Sequence, residues 1–502
     1  MNRKVLKVAL IAVIALLVAM TASVVVASSK AKGELPEYVG SQACLGCHAD
    51  KYMVWESSHH ANMLVQVMKP TDLPGDMTTT TPEFQEELLK ADWIVSGQRF
   101  LARDPATGEL KYLNVEWNDA QQKYVAYKGG SNWNTSCAGC HATGYDKTTA
   151  RFADAGIGCE SCHGPGRDHI LGKGDVSQIV KTNDVQVCGS CHNGQGNMPD
   201  GTRWPVGYRP GGDMTANGFK YLKVTPEQSA LQFEGKHMRQ MAQWEISAHA
   251  NAANSLASSG HASATCYKCH SSDAVVNAAF DPKAHEKVNG ITCVACHDPH
   301  GGSIVGQLRQ EPQALCESCH NGSIPEGGTL KAGATAHHPM KEMLSGYGAI
   351  GIAPTKGAHS GASFDGEPIT CLDCHFAASN HDFKVVRPGE AVKLNMPGKD
   401  SCTRCHERSS SESRGVFLDM MQENVAMKLE ALKADVATID AALKANPSAL
   451  SAELKAKYDA AKTNYTFVDA DGSHGAHNFE YSIKIIADAQ KTMSAVKAAL
   501  PK

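Results

Sequence analysis

Apolar and polar positions change rhythm four times along this 502-residue chain. Val8 to Ala27 is an unbroken apolar stretch behind the basic Arg3, Lys4 and Lys7, and Val25-Val26-Ala27 offers a small-residue cleavage site before Ser28. Residues 1–29 therefore read as a signal peptide. The same length also suits an uncleaved membrane anchor. No cysteine follows closely enough for a lipid anchor. Between 93 and 127 the pattern turns strand-like, in Arg99-Phe100-Leu101, Leu110-Lys111-Tyr112-Leu113-Asn114-Val115 and Tyr124-Val125-Ala126-Tyr127. Turns at Asp104-Pro105 and Asn118-Asp119 separate them, which predicts a small β-meander. From Cys137 to Cys405 neither period holds, and short helices and irregular loops are expected. Beyond Cys405, Val425, Leu429, Leu432, Val436, Ile439 and Leu443 step by three and four, the stripe of a long amphipathic helix. Asn446-Pro447-Ser448 breaks it; Leu450, Leu454 and Tyr458 begin a second helix, and Phe479, Ile483, Ile486, Met493 and Val496 mark a third. This stripe predicts an interface with another subunit, such as a homo-oligomer through the C-terminal helices, or packing against the haem core.

The aperiodic middle is explained by its cysteines. All 18 fall in nine Cys-x-x-Cys-His motifs: Cys44/Cys47, Cys137/Cys140, Cys159/Cys162, Cys188/Cys191, Cys266/Cys269, Cys293/Cys296, Cys316/Cys319, Cys371/Cys374 and Cys402/Cys405. This is the attachment spacing of haem c, in which two thiols form thioethers and the adjacent histidine reaches the iron. Zinc sites and disulfides do not demand a histidine after every pair. Nine covalently bound haems are predicted, with His48, His141, His163, His192, His270, His297, His320, His375 and His406 as proximal ligands. Aromatic residues are only 6% of the chain and Gly plus Pro number 66, so porphyrin supplies much of the apolar volume in the middle. The fold class expected is mainly α with much irregular structure, organised around nine haems. Formal charge is −4, and haem propionates make the loaded surface more acidic. Lysines and arginines are scattered without aromatic interleaving, so a nucleic-acid partner is excluded.

Fourteen histidines lie outside the motifs. A second axial histidine gives a six-coordinate, low-potential haem, whereas an open face can bind a substrate. The distal candidates are His60, His169, His249, His300, His359, His381 and His477. His60 and His249 stand at matching places of an internal repeat. Trp55-Glu56-Ser57-Ser58-His59-His60-Ala61-Asn62 returns as Trp244-Glu245-Ile246-Ser247-Ala248-His249-Ala250-Asn251. Gly156-Ile157-Gly158-Cys159 returns as Gly290-Ile291-Thr292-Cys293, and Ser190-Cys191-His192-Asn193-Gly194 as Ser318-Cys319-His320-Asn321-Gly322. The expected organisation is a tetrahaem module at 35–195 with a β insertion at 93–127 and a Gly/Pro-rich linker at 196–235. A pentahaem module at 236–410 and a helical segment at 411–502 follow. Asp469-Ala470-Asp471-Gly472 lacks the remaining ligands of a calcium loop and reads as a turn between helices.

Tyr38-Val39-Gly40-Ser41, the Trp-Ser-His stretch and Gly158 through Gly166 resemble the tetrahaem cytochromes that accept electrons from hydroxylamine oxidoreductase. From Trp244 onward the chain is similar to the pentahaem ammonia-forming nitrite reductases and to octahaem relatives, including tetrathionate reductase and hydroxylamine oxidoreductase. His338-Pro339, Ser345-Gly346, Ile369 through His375 and Asn380-His381-Asp382 carry that likeness. It implies that His338 is the active-site histidine at the haem of Cys266/Cys269, and that His249 and His381 are distal ligands. The pattern departs from the reductases in three places. All nine motifs keep histidine where the reductases' catalytic haem uses lysine, Ser323 stands at the tyrosine position, and no Arg or Lys lies between His249 and Cys266. The whole most resembles the nonahaem cell-surface cytochromes of Gram-positive metal-respiring bacteria. That resemblance implies an exported protein delivering electrons to ferric minerals or soluble shuttles, fed by redox partner cytochromes or a quinol oxidase. Alternatives are a nitrite, hydroxylamine or other oxyanion reductase with an open haem, and a non-catalytic conduit.

Overall fold

A computed structural model describes residues 35–128, 131–230, 239–377 and 379–501; the predicted signal segment lies outside them. Among the described residues no helix is long and apolar enough to cross a membrane.

The predicted meander is a five-stranded antiparallel sheet in sequential order: β1 (Leu64–Gln66), β2 (Trp93–Val95), β3 (Arg99–Arg103), β4 (Leu110–Asn118) and β5 (Lys123–Ala126). Two of these strands are only three residues long, too short for alternation to reveal. Ile94 pairs with Phe100, Leu101 with Tyr112 and Trp117 with Tyr124. Both faces are covered. Ile94, Phe100, Val115, Trp117 and Tyr124 close over Leu73 and Leu88, while Leu64, Val95, Leu101 and Leu110 pack against Trp133, Cys137 and Ala138. The second face makes the sheet a buttress beneath the Cys137 motif.

The C-terminal prediction holds closely. α1 (Ser411–Ala445), α2 (Ala452–Asp471) and α3 (Phe479–Ala499) are capped by Ser410, Ser451 and Asn478, whose side chains accept hydrogen bonds from backbone N–H groups. α2 ends at Gly472 in the left-handed conformation, so the calcium-like sequence is the last turn of α2 and its cap rather than a separate turn between helices. Val425, Leu429, Leu432 and Ile439 of the stripe pack against Tyr458, Phe467, Ile485, Ile486, Met493 and Val496, so these residues are buried among the chain's own helices, while Val416, Phe417, Met420 and Met427 of α1 are exposed.

Between sheet and bundle the chain runs in helices of one or two turns and in loops. The Gly/Pro-rich stretch after the fourth motif folds back onto the first module. Trp204 covers Gly139, where a Cβ would stand 2.1 Å from the indole. Arg203 N–H donates to the Thr135 carbonyl, and Lys147 pairs with Asp200 at 2.7 Å.

Candidate functional site

Several motifs form single helical turns, such as Cys159–His163 and Cys371–His375. One turn places the first Cys, the second Cys and the His on one face, since residues three and four apart are neighbours. None of the 18 cysteines is in a disulfide. The thiols of different motifs lie near one another in a repeating order. Cys44 neighbours Cys159, Cys188 neighbours Cys293, and Cys371 neighbours Cys316. Cys140 neighbours Cys191 in the first half as Cys269 neighbours Cys319 in the second. Cys162 lies within electrostatic reach of Cys191, Cys296 of Cys319, and Cys374 of Cys405. All nine motifs are therefore linked. Seven follow one another in a line, beginning at Cys44, Cys159, Cys188, Cys293, Cys316, Cys371 and Cys402. The motifs at Cys137 and Cys266 branch from it, each at the equivalent position of its half.

Cys47 differs from what its place in the predicted set of tethers suggests. It alone of the 18 cysteines is exposed, whereas its motif partner Cys44 is half-buried against Cys159. The cause is local. The first motif is not one continuous helical turn but spans the join between the short 3-10 turn Ser41–Cys44 and the helix Ala49–Trp55. The Cys47 N–H donates back to the Cys44 carbonyl at 3.2 Å, which leaves the thiol on the outer side of that join. This motif also stands at the end of the line, so its inner cysteine meets a neighbouring motif and its outer one meets solvent.

Histidines far apart in sequence face one another across these motifs. Ring centroids are 6.4 Å apart for His48–His169, 6.3 Å for His192–His60 and 6.2 Å for His163–His300. They are 6.0 Å apart for His320–His249, 6.2 Å for His375–His477 and 6.0 Å for His406–His359. Iron–imidazole bonds of about 2.0 Å, plus about 1.1 Å from ligating nitrogen to ring centre, put two trans imidazoles about 6.2 Å apart. Side chains in van der Waals contact would be closer. The pairs thus leave room for one iron each, and the residues present fit the haem that the motifs imply. His381 is an electrostatic neighbour of His297, in a different motif from the His375 it follows in sequence. His141 lies beside Trp133, at 6.1 Å.

Local structure positions these rings. Trp55 Nε1 donates to the Ile157 carbonyl at 2.8 Å and Trp244 Nε1 to the Ile291 carbonyl at 2.6 Å. Ile157 N–H in turn donates to the His60 carbonyl, and Ile291 N–H to that of His249. A Cβ on Gly156 would stand 2.5 Å from the Ala61 carbonyl oxygen, and one on Gly290 2.5 Å from that of Ala250. The repeated Trp and Gly-Ile signals are thus the clamp that sets His60 and His249. Nδ1 of His163, His169, His297 and His375 faces the carbonyls of Val180, Asp175, Gly306 and Phe383, at 2.7, 2.9, 2.6 and 3.0 Å. Such bonds orient a ligating imidazole and raise its basicity. His477 differs: its Nδ1 bonds Asp471 Oδ1 at 2.6 Å, and that buried carboxylate also accepts from the Ser473 hydroxyl. Burial acts to lower the His477 pKa, but the Asp471 bond and charge outweigh it and raise it. Elsewhere burial prevails and pushes His192, His320, His338 and His381 down to about 4. They are neutral at pH 7, the form that binds metal.

One motif histidine faces two others. His270 is 6.0 Å from His337 and 5.9 Å from His338, whose rings are 4.0 Å apart. His337, with no counterpart in the repeat and no place in the family likeness, gave no signal in the sequence beyond its neighbour. Ser323 is exposed on the loop after His320, where its N–H donates to Asn321 Oδ1.

Residues 285–324 match a doubled CXXCH motif model, residues 357–502 the cytochrome c552 model, and residues 108–164 with 227–298 the cytochrome c554 and c-prime model. No curated protein matches the chain. Among solved structures, the outer cell wall cytochrome OcwA superposes with a TM-score of 0.75 at 28% identity, over 91% of this chain and 100% of its own. The chain is a multihaem cytochrome. The undecaheme cytochrome from the S-layer of Carboxydothermus ferrireducens shares the fold, with TM-score 0.62 and 23% identity over 94% of this cytochrome and 71% of its own chain. Covalent haem c and electron transfer follow for the multihaem cytochrome from its cysteine pairs and family matches.

Proposed function

We propose that this cytochrome carries nine haems and discharges electrons outside the cell as a terminal reductase of ferric iron or soluble shuttles. The observation that carries this reading is the continuous line of neighbouring motifs, flanked by histidine rings spaced for iron. When bound, haem iron supplies reversible one-electron exchange, and the protein sets spacing, ligation and exposure. The residues divide that work. Eighteen cysteines tether, Cys47 from the solvent side of its motif. The nine motif histidines hold one axial position, and His60, His169, His249, His300, His359, His381 and His477 hold the other at their facing motifs. Cross-motif pairing makes each distal histidine a strut between neighbouring modules: His60 from the first segment reaches the fourth motif, and His300 reaches back to the third. The tetrahaem and pentahaem modules are read as meeting at the Cys188–Cys293 contact.

Likeness to an outer cell wall cytochrome supports export and a cell-surface location. Redox partner cytochromes or a quinol oxidase would feed the chain. The test is reoxidation: fully reduced protein mixed with ferric citrate or a quinone analogue should lose its reduced-haem absorbance within the mixing experiment. Protein that stays reduced would overturn the reading.

The His270, His337 and His338 cluster favours a second reading, reduction of nitrite, hydroxylamine or another oxyanion at the Cys266/Cys269 haem. His338 would deliver the proton there, since such reductions need an acid beside developing negative charge. Turnover with nitrite that collapses in His338→Ala would support it.

A further inference from the structure

We infer that His337 is the sixth ligand of the haem tethered at Cys266 and Cys269, and that it closes this site at rest while His338 stands beside it without ligating. The inference rests on the proposed haem loading of that motif. At most motif histidines one facing ring lies at 6.0–6.4 Å. His320 and His270 each have two: His320 faces His249 and His338, and His270 faces the consecutive His337 and His338, so His338 is shared between the two motifs and His337 belongs to His270 alone. The ligand atoms of His270, His337 and His338 all lie within 4.8 Å of one another. One iron has a single remaining axial position, so one of the two must stand aside.

The backbone brings them together. Adjacent residues of extended chain point to opposite sides, but His338 has φ of +49°, a left-handed conformation uncommon for a non-glycine residue. It is reached just before Pro339, which already restricts its choices. The kink folds consecutive side chains toward the same motif histidine. Its surroundings hold it in place: Ala336 is buried, the Lys341 N–H donates to the His320 carbonyl, and buried Glu342 accepts from the Gly322 N–H at 2.8 Å. Strain kept by anchors on both sides is a mark of functional positions.

Surroundings also separate the two roles. His338 is half-buried and wedged between His270 and His320, 6.0 Å from the latter, whose own facing partner is His249. His337 is exposed, and its ring neighbours among the described residues are His270 and His338, with His261 within electrostatic reach. An exposed imidazole leaves and returns without emptying buried space. Small ligands such as cyanide or free imidazole then enter only by exchange: the iron–His337 bond breaks, one bond to the newcomer forms, and no electron or proton is added. His338 stays at the mouth of the site as the neighbouring proton carrier.

The test uses the full-length holoprotein and low-temperature EPR of its oxidised form, with haem content checked by pyridine hemochrome. His337→Ala should convert one haem from low to high spin, and added imidazole should restore it; His338→Ala should leave the spin count unchanged. High-spin iron from His338→Ala and not from His337→Ala would overturn the assignment. So would a high-spin count that is the same in wild type and in His337→Ala. Should His337→Ala lose haem, His337→Met decides: an axial thioether keeps low spin and raises one potential, while no change overturns the inference. Reoxidation by ferric citrate is measured separately on each protein. Discharge with a contrary spin result sinks only this inference, and failure to discharge in wild type sinks the electron-export reading.

Discussion

Replacing Asp471 by Asn should raise the potential of the haem at Cys371/Cys374 more than any other single second-sphere change in the chain. Among the described ligand histidines, His477 is the one whose Nδ1 bonds a buried carboxylate rather than a backbone carbonyl. The carboxylate oxygen is 2.6 Å from Nδ1. With about 2.1 Å across the ring and about 2.0 Å to the metal, the charge lies roughly 6.5 Å from the iron. At an effective dielectric of about 20, one unit charge at that distance favours ferric over ferrous iron by about 2.5 kcal/mol. With about 59 mV per tenfold for a one-electron couple, and about 1.36 kcal/mol per tenfold, this amounts to roughly 110 mV. Asn keeps the acceptor oxygen and the geometry, so the substitution isolates the charge. Spectroelectrochemical titration of wild type and Asp471→Asn reads the result: the lowest-potential component should move upward by about that amount, with all spins unchanged. A lowest potential that stays put, or falls, would refute the reasoning. It would mean that this carboxylate does not act through His477 on an iron.

Four further outcomes follow from the same geometry. His60→Ala and His249→Ala should each turn one haem high-spin, at His192 and His320 respectively, as counted by EPR; unchanged spectra would remove both from the ligand set. Gly290→Ala forces a Cβ to within 2.5 Å of a backbone carbonyl, an overpacking that costs about 1–3 kcal/mol. It should lower the melting temperature and broaden the EPR of the His249 haem. Asp400 is buried and accepts from the Ser411, Thr403 and Arg414 side chains and the Cys402 N–H, tying the ninth motif to α1; Asp400→Ala should cost about 3–5 kcal/mol by leaving the buried Arg414 charge without its carboxylate, read by thermal melting. Burial works to raise the Asp400 pKa, but those bonds win and hold it below the usual value. A depressed folded pKa gives stability present above the unfolded pKa and lost as pH falls through the folded one, so acid should weaken wild type and spare Asp400→Asn.

Much of this molecule is legible in its residues because covalent chemistry writes in short, invariant spacing. Nine motifs announce tethers before any fold is known, and the C-terminal stripe at Val425 to Leu443 is long enough for helical period to dominate noise. The repeat was visible too, and the structure supplies its cause: Trp55 and Trp244 seek the Ile157 and Ile291 carbonyls, and Gly156 and Gly290 yield the room. What stayed hidden is long-range pairing. Nothing near His300 says that it faces His163, or near His359 that it faces His406, because such pairs form across modules whose arrangement is three-dimensional. His381 illustrates the same limit, lying close in sequence to His375 and in space to His297. Identical spacing also hides unequal surroundings: Cys47 reads like every other second cysteine, yet it alone is exposed. β1 and β2 were hidden by shortness. The amphipathic stripe left its partner open, since periodicity reports that a face is buried and not what buries it; α2 and α3 cover it here. His337 was hidden by a backbone turn, His338 at positive φ, that no spacing rule encodes.

The central claim is that one connected set of nine tethered haems drains to the outside. Its most direct test is the number of electrons delivered per chain when fully reduced, mass-verified protein meets excess ferric citrate in a single mixing experiment. Nine electrons leaving with no stranded fraction would agree with the line of neighbouring motifs. Fewer than nine tethered groups, or a subset that remains reduced after mixing, would contradict it.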